Sequence, residues 1–155
     1  MSTIAERMAT AVSRVTGTPI TAPTDGWVID TGDYRVETTR DAYSRRHTFR
    51  ATAFRQDAAG WLIAAEDSTD WTNADAMAAT MRAAAGRART LTRASDMLTA
   101  AGWRVDPMIP HVGSGITATR GPATAYVYSD GGVRSEDREA LAQVRAVVED
   151  AQRES

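Results

Sequence analysis

The chain contains no cysteine and no lysine, only one asparagine (Asn73), and few large aliphatic residues: Leu, Ile, Val and Phe together number 23 of 155. Without cysteine there is no disulfide, zinc–thiolate site, iron–sulfur cluster or thiol nucleophile. Without lysine there is no P-loop amine and no acceptor for lysine-directed tagging or acetylation. Lysine, asparagine, Phe and Ile share A/T-rich codons, so their joint scarcity is the composition expected of a GC-rich genome, such as that of an actinobacterium or one of its phages. Long apolar runs are missing too. The longest uncharged stretch, Pro107 to Thr119, is interrupted by Pro, His, Ser and Gly and cannot span a bilayer. Residues Met1–Arg7 lack a basic cap leading into an apolar segment, so no secretory signal is expected and the expected location is cytoplasmic.

What is present fits one small globular domain covering residues 1–155. The apolar fraction is 43%, the charged fraction 25%, and 18 basic residues, all arginine, face 20 acidic ones for a net charge of −2. Near-neutral charge weakens self-repulsion, and Trp 4, Tyr 4 and Met 6 supply apolar volume that the aliphatics do not. The reading expects an alanine-rich core filled by Trp27, Trp61, Trp71, Trp103 and the methionines.

Hydrophobic periodicity divides the chain into three helices and two sets of strands. Thr3-Ile-Ala-Glu6 is a capping box, followed at helical spacing by Ile4, Met8, Ala11, Val12 and Val15, with Gly17 and Pro19 ending the helix near Thr16. Trp27–Ile29, Tyr34–Thr39, Arg45–Arg55 and Trp61–Glu66 read as an antiparallel meander. In the third strand His47, Phe49, Ala51 and Ala53 alternate with Arg46, Thr48, Arg50 and Thr52, the pattern of one dry and one wet face. A long helical region runs from about Asn73 to Ala101. Met77, Met81, Ala84, Ala88, Leu91, Ser95 and Leu98 draw a seam along it, with Gly86 a place where it divides, the second helix then starting near Thr90 or Thr92. Gly102 is placed to end it. Three strands follow, beginning at Trp103 and pairing 116–120 with 124–128 around Gly121-Pro122. The last helix takes Ser135 as its cap and Leu141, Val144, Val148 and Ala151 as its buried stripe. The order α-ββββ-α-βββ-α predicts an α+β fold with antiparallel meanders. At the level of topology alone it is similar to small secretion-chaperone-like α+β dimers.

Three constellations carry chemistry on paper. Val28-Ile29-Asp30-Thr31-Gly32 resembles the Asp-Thr-Gly loop of aspartic proteases, but Asp33 stands where that family has Ala or Ser. Asp-Thr-Gly between strands is also an ordinary tight hairpin, so a turn is expected. Pro110-His111-Val-Gly-Ser114-Gly115 offers a histidine and a serine, with Asp106 as an orienting carboxylate, yet three-residue loop spacing sets no triad geometry. His47 and His111 belong to no metal-binding pair, so neither metal nor cofactor is called for, and His47 is expected half-buried and hydrogen-bonded.

Charge is the most informative signal. Residues 35–55 hold six arginines against Glu37 and Asp41, residues 82–93 hold four and no acid, and residues 56–81 hold five acids and no base. The expected function is that of a small non-enzymatic binding, adaptor or inhibitor-type protein acting through contact with another protein, with a homodimer through the helix seam or the last helix as one form of it. Arg46, Arg50, Arg82, Arg89 and Arg93 are the expected contact residues. The alternative is a nucleic-acid-binding accessory protein placing those arginines on phosphates, although no aromatic stands out among them. A third reading is a small hydrolase built on His111 and Ser114.

Overall fold

A computed structural model of the chain describes residues 2–24, 27–70, 73–109 and 113–154. The elements are α1 (Ile4–Thr16), β1 (Val28–Asp30), β2 (Tyr34–Arg40), β3 (His47–Gln56), β4 (Leu62–Thr69), α2 (Ala74–Ala100), β5 (Arg104–Pro107), β6 (Gly115–Arg120), β7 (Ala123–Tyr128), β8 (Val133–Ser135) and α3 (Arg138–Arg153). Strands β1–β4 and β5–β8 form two four-stranded sheets, each in sequence order, and the pairings described are antiparallel. This is the α+β architecture expected, with one strand more than the pattern showed. β8 is three residues long, too short for alternation to announce itself.

The chain divides into two compact units, residues 1–53 with 66–85, and residues 54–65 with 86–155. In the first, Thr3 caps α1 by accepting from the Glu6 amide at 3.1 Å, and Gly17 ends the helix in the left-handed region at φ +73°. Met8, Ala11 and Val12 are fully buried on its inner stripe. In the first sheet Val36 stands opposite Ala51, Tyr34 opposite Ala53 and Thr38 opposite Phe49, and all six are buried. Their outward neighbours alternate in sign: Asp30 faces Arg35, and Glu37 faces Arg50.

α2 is continuous through Gly86 and starts from an Asn73 cap that accepts the Ala76 amide at 2.8 Å. Thr90 and Thr92 do not open a second helix. Their hydroxyls donate back to the carbonyls of Gly86 and Ala88, at 3.2 and 2.9 Å. Every residue of the seam is buried, joined by Ala78, Ala85 and Ala94. The seam is core of this chain, which removes it as the route to a homodimer.

In the second unit, α3 packs against β7 and β8 and buries Ala140, Val144, Val148 and Ala151, while Leu141 of the expected stripe is only half-buried. Its cap is Asp137, accepting the Ala140 amide at 3.0 Å, and not Ser135. The Ser135 hydroxyl is spent inside the sheet, donating to the Thr124 carbonyl at 2.7 Å. At Gly115 (φ +148°) a Cβ would run into the Val127 carbonyl, so only glycine lets β6 approach β7 there. The turn between β3 and β4 is tied to α2. Asp57 accepts the Trp61 amide at 2.8 Å and the buried Ser95 hydroxyl at 3.0 Å, while Asp96 accepts the Ala58 amide at 3.1 Å.

The tryptophans divide differently from expectation. Trp103 is buried, but Trp27 and Trp61 are 47% and 52% exposed, and Trp71 lies outside the described residues. Trp27 and Trp61 are held by their backbones: Trp27 accepts the Thr38 amide and Trp61 accepts the Asp57 amide, both at 3.0 Å. Their rings are turned outward at strand ends. Core volume comes instead from Phe49, Met8, Ile63, Met77, Met81, Leu98 and Ile116.

Candidate functional site

The five arginines expected at a contact surface are not a free cationic field. Arg46 pairs with Asp70 at 3.8 Å, and Arg50 stands opposite Glu37 across the β2–β3 ladder. Arg93 lies 3.8 Å from Glu154 and donates to the Ala151 carbonyl at 3.4 Å. Arg82 and Arg89 are exposed on α2, and the Arg89 guanidinium reaches back over Gly86.

The catalytic alternatives gain little. Asp30 accepts the Gly32 amide at 2.9 Å, with Gly32 at φ +87°, which makes Asp30–Asp33 the hairpin turn expected. Asp106 is engaged by Arg104 at 3.2 Å, and the Ser114 carbonyl accepts the Ser129 amide at 2.9 Å. His111 lies outside the described residues. His47 is half-buried as expected, but its Nδ1 is buried with no hydrogen-bond partner among the described residues. Among the described residues no three His, Asp or Glu side chains are grouped closely enough to hold a metal ion.

The feature that the sequence reading passed over is the loop between β2 and β3. Arg40 and His47 are the last pair of the ladder, and residues 41–46 close it. The loop is stitched from inside. The Asp41 amide donates to the Arg46 carbonyl at 2.8 Å, and the Arg45 amide donates to the Asp41 carbonyl at 3.0 Å. Asp41 Oδ1 accepts the amides of Tyr43 and Ser44 at 2.7 and 3.0 Å. Those N–H groups, Ser44 first and then Tyr43, hold the Asp41 carboxyl below its ordinary pKa by stabilising its anion.

Closing this turn places Arg45 at φ +58°, the one non-glycine residue with positive φ among those described. Tyr43 rides at the tip with its side chain 100% exposed, flanked by the exposed residues Arg40, Arg45 and Arg46. An aromatic does stand among the arginines, contrary to the reading of the sequence. With Asp41 turned to its own backbone, the loop exposes Tyr43 together with Arg40 and Arg45, and with Arg46 beside Asp70. Guanidinium groups are planar donors that can engage a carboxylate or a phosphate.

No helix of the described residues is long and apolar enough to cross a membrane. Comparison with models of protein families, with curated proteins and with solved structures found no match to this chain.

Proposed function

We propose that this chain is a binding protein that acts through protein–protein contact, with the Asp41–Arg46 loop as its contact element and an acidic protein surface as its target. One observation carries the reading: Tyr43 is wholly exposed on a loop fixed by five internal hydrogen bonds and bordered by Arg40, Arg45 and Arg46. Tyrosine and arginine are the residue types that dominate contact energies, and a loop already ordered loses less entropy on binding. A left-handed arginine costs about 1 kcal/mol or more, a strain that accumulates where a loop is shaped for contact.

A second reading draws on the same loop, since tyrosine between arginines also stacks bases and holds phosphates. It is the weaker one. Glu37 and Glu154 lie opposite or beside Arg50 and Arg93, outside the loop, and break up the extended potential that a polyanion would need.

The test is a photo-crosslinking amino acid at position 43, compared with one at the exposed turn residue Asp33, in the cell that makes the protein. A discrete adduct from position 43 only, digested by protease and lost with Arg40→Ala/Arg45→Ala, is the expected result. An adduct removed by nuclease transfers the loop to the second reading. No adduct above the position-33 control overturns both.

A further inference from the structure

We infer that the outward face of the second sheet is a contact between two copies of this chain, centred on Tyr126. The inference does not depend on the loop at Tyr43, which lies in the other unit. On this face Tyr126 stands between Thr117 on β6 and Arg134 on β8, directly opposite both in the ladder. Asp106 completes the row on β5, opposite Thr117. Tyr126 is exposed, and a depression lies on either side of it. One of about 290 Å³ is lined by Tyr128, Arg134, Ser135 and Glu136, and one of about 310 Å³ by Pro122, Thr124, Glu136 and Asp137. Both share Tyr126 and Glu136. The face is therefore a tyrosine knob with a hollow on each flank, a shape that a two-fold axis can fit to itself.

Charge selects the occupant. Arg134 and Glu136 are both exposed, and neither side chain takes an ion pair or hydrogen bond among the described residues. Of the neighbouring charges, Arg104 holds Asp106 and Asp137 is engaged by the Ala140 amide. A purely acidic partner would leave Glu136 facing like charge, and a purely basic one would do the same to Arg134. A second copy related by a two-fold axis sets each Arg134 against the other's Glu136 and satisfies both pairs at once.

The size of the face sets the strength. Strands of four, six, six and three residues, about 4.8 Å apart at about 3.3 Å per residue, cover roughly 300 Å² per copy. Two copies then bury roughly 600 Å², well below the ~1,200 Å² of a standard stable interface, so the dimer is a weak, reversible one that forms at high concentration.

Sedimentation velocity from about 1 μM to 1 mM measures it. The expected result is a concentration-dependent shift from monomer to dimer. Arg134→Glu and Glu136→Arg should each weaken the association by about tenfold, and the double exchange Arg134→Glu/Glu136→Arg should restore it. Both residues are exposed, so the thermal melts of all three variants should match the parent. A chain that stays monomeric throughout overturns the inference. So does a single exchange without effect, or a double exchange that fails to restore the dimer.

Discussion

The guanidinium of Arg120 lies 4.3 Å from the centroid of the Trp103 ring. The same group donates to the Ala101 carbonyl at 3.5 Å and to the Gln143 side chain, so one arginine at the end of β6 joins the end of α2, the start of β5 and helix α3. A planar cation serves all three contacts, and a point charge on a flexible stem does not. Arg120→Ala should destabilise the protein by about 1–2 kcal/mol, with Arg120→Lys recovering only part of the loss, read by urea unfolding. Equal stability of Arg120→Lys and the parent would show that the fork geometry is irrelevant.

Thr38 is fully enclosed on the inward face of β2, opposite Phe49, and its hydroxyl has no hydrogen-bond partner among the described residues. Valine has the same branching and no oxygen to desolvate. Thr38→Val should raise stability by about 1 kcal/mol and move the thermal midpoint upward. A lowered midpoint would mean that the hydroxyl is satisfied in solution.

Gly86 sits within the unbroken α2, and a Cβ there would meet nothing closer than the Arg89 guanidinium at 3.6 Å. Ordinary contact of that kind costs nothing, while glycine mid-helix carries an entropic penalty. Gly86→Ala should therefore stabilise the fold by about 0.5–1 kcal/mol in chemical denaturation. A destabilised variant would indicate a helix broken at this point.

Asp41 gives the loop a pH dependence of definite sign. Its folded pKa is depressed, so the unfolded chain takes up the proton first. The contribution is complete above the ordinary aspartate value and disappears as pH falls through the lower folded one. In an NMR titration the amide protons of Tyr43 and Ser44 should move together, with a midpoint below that of an ordinary aspartate. In Asp41→Asn the step should vanish. A step at the ordinary aspartate value would separate the carboxylate from these amides.

The α2 seam was legible in the sequence because its apolar residues keep strict helical spacing over seven positions, and burial follows spacing. The wet and dry faces of β3 were legible for the same reason. β8 was not, since Val133-Arg-Ser is shorter than any window in which alternation can be recognised. Trp27 and Trp61 were misplaced because size alone suggested burial, whereas their backbones are committed to strand ends that point the rings at solvent. The Tyr43 loop was hidden for a different reason. Its order comes from one carboxylate folding back on the amides two and three residues ahead, a signal carried by Asp41 and not by any apolar pattern.

The alanine lining of α2 has a consequence for how this protein can change. At Ala78, Ala84, Ala85, Ala88 and Ala94 the buried side chain is already a single methyl, so natural variation has almost nothing left to trim. Added bulk at a buried, packed site is costly as well. Descendants of this chain are thus free to diversify on their outer surfaces while the helix interior stays confined to its smallest residues.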